Sequence, residues 1–306
     1  MKTITRIFSG LLRFYRGNPA GIIGTSIVAL ILCACLAAPV LTDNSPTKRV
    51  ARGHQPPSAE LILGSTRAGK DVYTQVLYGG RVSLMVAFSA ATITTFIALA
   101  VGVSSGYFGG RIDETMMAIT NVMLVFPQLP LLIILAAFLG QVGPLVIAMI
   151  LGLTSWPWGA RVMRSQTLAL RQKEFVTAAE VMGEAKWRII VIEIIPNLIS
   201  LVAGMFVGTS LYAIGAQAGL EFLGLGDPTV VSWGTMLYWA QSSAAFFVGA
   251  WWDFVVPGTV IALTGGGLAL INISIDQVSN PKLRTGRYLK IWRRMKAEVE
   301  AKRRQA

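Results

Sequence analysis

The chain has 306 residues, 54% of them hydrophobic and only 14% charged, and the apolar residues fall in long charge-free runs. A soluble domain carries about a quarter charged residues, so these runs mark a polytopic membrane protein and exclude an ordinary soluble fold. The net charge of +12 sits in short segments flanking apolar runs, which fits topology signals and anionic lipid headgroups, not nucleic-acid binding.

A membrane crossing needs about 20 apolar residues. The first falls at 20–42, after a basic segment, 1–19, with Lys2, Arg6, Arg13 and Arg16. It is too long for a signal peptide and is followed by more spans. Its Cys33 and Cys35 read as small packing residues. A polar loop follows at 43–80, holding the single histidine, His54. One histidine and two membrane cysteines exclude a metal site and a histidine-based triad.

The second span is expected after Arg81, running to Phe108. No charged residue occurs from Thr115 to Ala160. As one helix that stretch would be ~69 Å long, over twice the hydrocarbon thickness, so it must turn back once. Gly140-Gln141-Val142-Gly143-Pro144 is the breaker. Spans three and four are therefore 114–139 and 144–161, with Pro127 and Pro130 kinking the third. A fifth follows Pro196, at 197–219, and a sixth runs from Phe254 to Asp276.

The uncharged stretch 229–252 is long enough for a seventh span, but parity opposes it. Both termini are basic, and the tail 282–306 is rich in Lys and Arg. With both ends cytoplasmic the span number is even. The segment 220–252 thus reads as an outer loop with a partly embedded helix, its Trp233, Trp239, Trp251 and Trp252 suiting the membrane interface. The turn at 140–144 and the loop 220–252 lack Lys and Arg, as outer loops should. The loop 43–80 is the exception: it carries Lys48, Arg49, Arg52, Arg67 and Lys70, yet the count puts it outside. The expected fold is all-α, a six-span membrane protein whose five-helix core occupies 81–281.

The inner loop at 171–197, RQKEFVTAAEVMGEAKWRIIVIEIIPN, reads as two helices broken at Gly183. Gly183 suits the left-handed position that closes a helix. The second helix starts near Glu184 and carries Lys186 and Arg188, and Pro196 fits the first turn of the next membrane helix. A short helix along the membrane face can dock in a groove on a soluble partner or lie as an ordinary surface helix.

This stretch resembles the EAA signature of permease subunits in ATP-binding cassette importers: Thr177-Ala178-Ala179, Gly183 and Ile194-Ile195-Pro196-Asn197 match its layout. Thr177 stands where the family often has Glu, with Glu174 and Glu180 one turn either side. Other blocks resemble the dipeptide, oligopeptide and nickel permeases, which also include oligosaccharide carriers. They are Arg16 to Pro19, Gly69 to Val72, Leu77 to Leu84, Gly106 to Gly110 with Asp113-Glu114, Phe222 to Gly226, Ser232-Trp233-Gly234, Pro257-Gly258, Asn272 and Asp276.

The resemblance implies the C-type member of a permease pair in the prokaryotic inner membrane. Its partners are a second homologous permease, two cytoplasmic ATP-binding subunits, an extracytoplasmic solute-binding protein and membrane lipid. ATPase coupling falls to Glu174, Thr177, Ala178, Ala179, Glu180, Gly183, Lys186 and Pro196. The chain binds no cofactor of its own, ATP and Mg being used by the partners.

Gly64 to Asp71, GSTRAGKD, nearly matches a phosphate-binding loop, but Asp71 replaces the magnesium-binding hydroxyl. Gly102/Gly106, Gly204/Gly208 and Gly215/Gly219 are small-xxx-small pairs that permit close helix contact. Span interiors are almost free of charge, with Glu193, Glu221, Asp253 and Asp276 near the ends. That scarcity argues against a proton relay or a buried salt-bridge switch, and so against an ion-coupled secondary transporter, the main rival. Ser104, Asn121, Gln128 and Gln217, with Gln141, are the candidates for lining a passage, or for bonding between helices.

Overall fold

The computed structural model describes residues 18–279 and Trp292. The segment up to Gly17, Asn280-Pro281 and the rest of the basic tail 282–306 lie outside the described residues, as do the topology signals expected there.

Helix α1 spans Pro19–Leu36, with Pro19 in the first turn and the Asn18 side chain accepting from the Gly21 amide at 3.3 Å. Helix α2, Val72–Phe108, is capped by Asp71, whose carboxylate accepts from the Tyr73 and Thr74 amides at 3.1 and 3.4 Å and from the Thr74 hydroxyl at 2.6 Å. That carboxylate fills the donors at the helix start, where a phosphate would have to sit in a nucleotide-binding loop.

The second long helix therefore begins at Val72, well before Arg81. Arg81 does not mark its start because its charge has another use. Its Nε and Nη2 donate to the carbonyls of Cys35 and Leu36 at 2.6 and 2.5 Å, capping the end of α1.

Helix α3 (Gly110–Val125) and helix α4 (Gln128–Leu139) meet at an 84° bend. The break falls at Phe126-Pro127, where the proline ring opposes continuation of the preceding helix. The chain then turns back at Gly140, whose φ of +79° is open to glycine. Pro144 opens helix α5 (Pro144–Thr154), which bends by 41° at Ser155 into helix α6 (Trp156–Arg171). Helix α7 is the short Glu174–Val181. Helix α8 runs from Lys186 to Phe222 with a π turn at Ile189–Ile194. Helix α9 is Trp233–Ser242, and helix α10 is Trp252–Ser279. Among the described residues, α1, α2, α8 and α10 are long and apolar enough to cross a membrane, and six spans result if each bent pair counts as one.

Helix α2 is the hub, packing against α1, α3, α5, α6 and α8, while α10 closes on α1 and α8. Glycines set the closest contacts. A Cβ on Gly102 would lie 2.5 Å from Met163 Cβ and 2.6 Å from the Ala160 carbonyl, and one on Gly106 would lie 2.8 Å from the Arg164 carbonyl, so α2 and α6 touch backbone to backbone. Gly24 on α1 faces Gly267 on α10 in the same way, at 2.6 Å to its carbonyl. The other two small-residue pairs differ. Gly204 and Gly208 face only the Asn272 and Ile275 side chains, and Gly215 and Gly219 meet nothing.

Two tryptophans expected at the interface are core residues instead. Trp233 is fully buried and donates from Nε1 to the Val76 carbonyl at 3.0 Å; Trp252 is buried and donates to the Ser65 carbonyl at 3.2 Å. Both indoles find backbone acceptors inside the fold, which removes their need for an interfacial position. Trp239 and Trp251 remain about half exposed, at 52% and 51%. Cys35 is buried against Gly80, as a packing residue.

Candidate functional site

Segment 171–197 builds a short surface helix on the ends of three long ones. Glu174 opens α7 where negative charge suits the helix dipole. Val176 and Ala179, three residues apart, share the buried face. They pack with Val103 and Tyr107 of α2, Met163 of α6, and Ile189, Ile194 and Leu198 of α8. Tyr107 donates its hydroxyl proton to Glu180 Oε1 at 3.2 Å, and the Arg171 guanidinium lies 5.8 Å from the Tyr107 ring centre.

Gly183 closes α7 with φ +77°, and a Cβ there would meet nothing within 4 Å. Its requirement is backbone freedom, not space. The Gly183 and Glu184 amides return to the carbonyls of Glu180 and Ala179, both at 3.1 Å.

The second short helix expected after Gly183 is the beginning of α8. Glu184 pairs with Arg188 at 3.1 Å, and Lys186 starts a helix that does not stop before the membrane segment. Pro196 thus lies within a continuous helical run, directly after the π turn. The Asn197 side chain donates to the Glu193 carbonyl at 2.6 Å beside that turn. A π turn widens the ladder where the proline withdraws a donor.

The outward face of α7 and its turn carries Thr177, Ala178, Val181 and Met182, joined by Phe175 and Trp187. Val181, Met182 and Trp187 are 83%, 75% and 67% exposed. Large apolar side chains left open together on one face mark an interaction surface.

A second cluster braces this region. Arg164 of α6 reaches Asp113 of α3 through Nε and Nη2, both at 2.5 Å, and the Ser105 hydroxyl of α2 donates to the same carboxylate. About one turn earlier on α6, Arg161 donates to Oδ1 of Asn121, about two turns beyond Asp113 on α3, at 2.6 Å. The fork-to-fork geometry makes Arg164–Asp113 a strong, directional clasp. Sequence reasoning discounted such a pair. Its partners are 51 positions apart, and only the fold around Gly102 and Gly106 brings α6 to the end of α2.

Between α6, α8 and α10 runs a groove of about 980 Å³. Its polar lining includes Gln128, Ser155, Gln166, Asn197, Ser200, Thr209, Tyr212, Asn272 and Asp276, over a floor with Met163, Leu201 and Met205. Of the five residues expected along a passage, Gln141 among them, only Gln128 borders it, with its amide donating to the Ser155 hydroxyl at 2.7 Å. Ser104 is half-buried in α2, and Asn121 is held by Arg161. Gln217 is buried in another cluster, donating to Glu221 Oε1 at 3.0 Å; Ser232 donates to the other Glu221 oxygen. Helix geometry explains this: position 217 lies on the α8 face turned toward α9. The groove's Asn197 and Ser200 come from the opposite end of α8, and an uncharged polar residue in an apolar run does not reveal which face it takes.

Residues 98–285 match the family described as binding-protein-dependent transport system inner membrane component. The chain is 32% identical over 275 residues to the dipeptide transport system permease protein DppC of Bacillus subtilis, covering 89% of this chain and 85% of that one. It is 29% identical over 285 residues to the oligopeptide transport system permease protein OppC of the same organism, covering 92% of each. Among solved structures, a chain of the MetNI methionine ABC transporter in inward-facing conformations superposes with a TM-score of 0.52 at 20% identity. That match covers 67% of this chain and 94% of the other, and it shows a shared fold.

Proposed function

Because the chain belongs to the family of binding-protein-dependent transport system inner membrane components, we propose that it forms half of a peptide-conducting pathway driven by ATPases on separate subunits. It is the permease subunit of an ATP-binding cassette importer. Relatives named for dipeptide and oligopeptide transport favour peptides as cargo. In this reading each bent pair is one crossing, giving six, and both termini face the cytoplasm. The importer then contains a second permease, two ATP-binding subunits and an extracytoplasmic solute-binding protein.

The observation that carries the proposal is α7. It is a rigid helix seated by Val176 and Ala179 on the ends of α2, α6 and α8, with its other face bare. Thr177 and Ala178 on that bare face, with Val181 and Met182, meet the ATPase. Ala179, Glu180 and Gly183 hold the helix to the bundle, and Pro196 stands at the entry of α8 into the membrane. Glu174 and Lys186 lie exposed at either end and set register. Movement of the ATPase shifts α7 as a body, and α6 and α8 tilt with it. The groove between α6, α8 and α10 then belongs to the pathway, with Gln128, Asn197 and Asn272 as hydrogen-bonding positions for peptide backbone.

The test is Ala179→Leu in the reconstituted complex, with peptide uptake and ATP hydrolysis measured together. Loss of uptake while hydrolysis continues is expected. Undiminished ATP-driven uptake overturns the role of α7, and purification of an active transporter without ATPase subunits overturns the whole reading.

A further inference from the structure

The groove between α6, α8 and α10 has a charge pattern that recognition of peptide backbone does not explain. Among the described residues, its lining carries one carboxylate, Asp276, and no Lys, Arg, His or Glu. The want of cations is built into α6. Val162, Met163 and Gln166 face the groove, while the arginines of the same helix turn away from it. Arg161 donates to Asn121 and Arg164 is clasped by Asp113, both on α3, and Arg171 lies against the Tyr107 ring.

The other two walls come from α8 and α10. Asn197, Leu201, Gly204 and Gly208 follow one another at helical spacing along one face of α8, and Asn272 and Asp276 stand one turn apart on α10. Glycine keeps the two helices from closing the space between them. A Cβ on Gly204 would lie 3.6 Å from Asn272 Oδ1, and one on Gly208 would lie 3.3 Å from Asn272 Nδ2, so any larger side chain there would fill the groove over Asn272.

Asp276 is exposed and forms no ion pair with a described residue. It lies roughly 36 Å along α10 from Trp252, beyond the ~30 Å of the hydrocarbon layer. In the orientation assigned above Trp252 is at the outer end, so Asp276 stands at the inner mouth and Asn272 one turn inside it. Glu193, one turn before Asn197 on α8, adds a second acid toward the same end. A cleft of one charge sign between apolar walls focuses the field along its length. Met163, Leu201 and Met205 supply such a wall. The inner mouth therefore presents a negative potential to whatever leaves the groove.

We propose that Asp276 selects cargo by charge: a peptide with a basic side chain passes the inner mouth faster than one of the same length with an acidic side chain. This rests on the peptide-pathway reading above. Gln128, Asn197 and Asn272 hold the backbone common to all peptides, and the carboxylate discriminates among their side chains. One unit charge acting across about 4 Å of water is worth about fivefold.

The experiment uses the assembled transporter, with the full chain, in proteoliposomes of neutral lipid. The solute-binding protein that restores uptake is supplied saturated with Ala-Lys-Ala, Ala-Ala-Ala or Ala-Glu-Ala. The readout is the ratio of Ala-Lys-Ala to Ala-Glu-Ala uptake for the wild type, Asp276→Asn and Asp276→Lys. The same loaded binding protein serves all three, so its own preference cancels between them. We expect Asp276→Asn to lower the ratio about fivefold or more and Asp276→Lys to lower it further. Raising salt from about 50 to about 500 mM should bring the wild-type ratio toward that of Asp276→Asn. A ratio equal in all three proteins overturns the proposal. So does a loss of complex yield with the ratio unaltered, which would assign Asp276 to subunit packing. If neither variant assembles, Asn272→Asp places a second carboxylate one turn inside the mouth and should raise the ratio; an unchanged ratio overturns the proposal. Absence of ATP-driven uptake of all three peptides by the wild type would instead overturn the peptide-pathway reading itself.

Discussion

Tyr107, near the end of α2, gives its hydroxyl proton to Glu180 on the short helix that rides outside the bundle, across 3.2 Å. This bond and the apolar seat of Val176 and Ala179 are the two means by which α7 follows α2. Tyr107→Phe should preserve the seat and remove the bond, a loss of about 0.5–1.5 kcal/mol. Hydrogen exchange at 174–184 should speed up while exchange in α2 stays unchanged, and uptake per ATP hydrolysed should fall.

The Asp113–Arg164 clasp joins α3 to α6 close to the same end of α2. Its side chains are 19% and 33% exposed, so solvent weakens the pair without dissolving it. Arg164→Ala should cost about 1–3 kcal/mol, the range for hydrogen bonds to charged groups. Thermal unfolding in detergent measures this, and a double-mutant cycle with Asp113→Ala should return a coupling close to the single loss.

Glycine substitutions should separate packing from backbone conformation. Gly102→Ala forces a methyl against the Met163 side chain and the Ala160 carbonyl, so a loss of about 1–3 kcal/mol is expected. Gly183→Ala has open space and only the left-handed backbone to oppose it, about 1 kcal/mol. Gly215→Ala has neither obstacle and should lie within about 0.5 kcal/mol of the wild type. Melting temperatures of the three variants in one detergent give the order directly.

The cluster of Gln217, Glu221, Ser232 and Thr235 ties α8 to α9. Removing its centre with Glu221→Ala leaves the Ser232 hydroxyl and the Gln217 amide without that acceptor, a loss of about 1–3 kcal/mol. Glu221→Gln keeps an acceptor and should recover most of it. Gly234 packs against the Glu221 carboxylate, with an added Cβ only 2.3 Å from Oε2, so Gly234→Ala should resemble the Glu221→Ala loss in a melting experiment.

Charge-free runs disclose membrane segments because lipid forbids unpaired charge, and the reversal at Gly140 is legible because a single helix would overrun the bilayer. Gly183 is legible as well, since few residues tolerate its backbone. Arg81 marks no helix boundary, because a guanidinium can cap a neighbouring helix from within its own. Trp233 and Trp252 misled because an indole is amphipathic in both settings; only the Val76 and Ser65 carbonyls decide between them. Gln217 and Glu221 did carry a signal, being four residues apart on one helix, and that spacing favours bonding to each other over lining a passage. The Asp113–Arg164 clasp and the groove beside Asn197 and Asn272 depend on which helices touch, which no local pattern encodes.

The close fit of Gly24 to Gly267 couples α1 to α10. A ribosome makes the two some 240 residues apart, an interval of roughly 12–50 seconds at common elongation speeds. During that time α1 rests in the bilayer without its mate, its side of the seam open to any passing segment. Closure of this contact thus waits until α10 has been made, and a chain cut short before α10 leaves the α1 side of the seam without its mate.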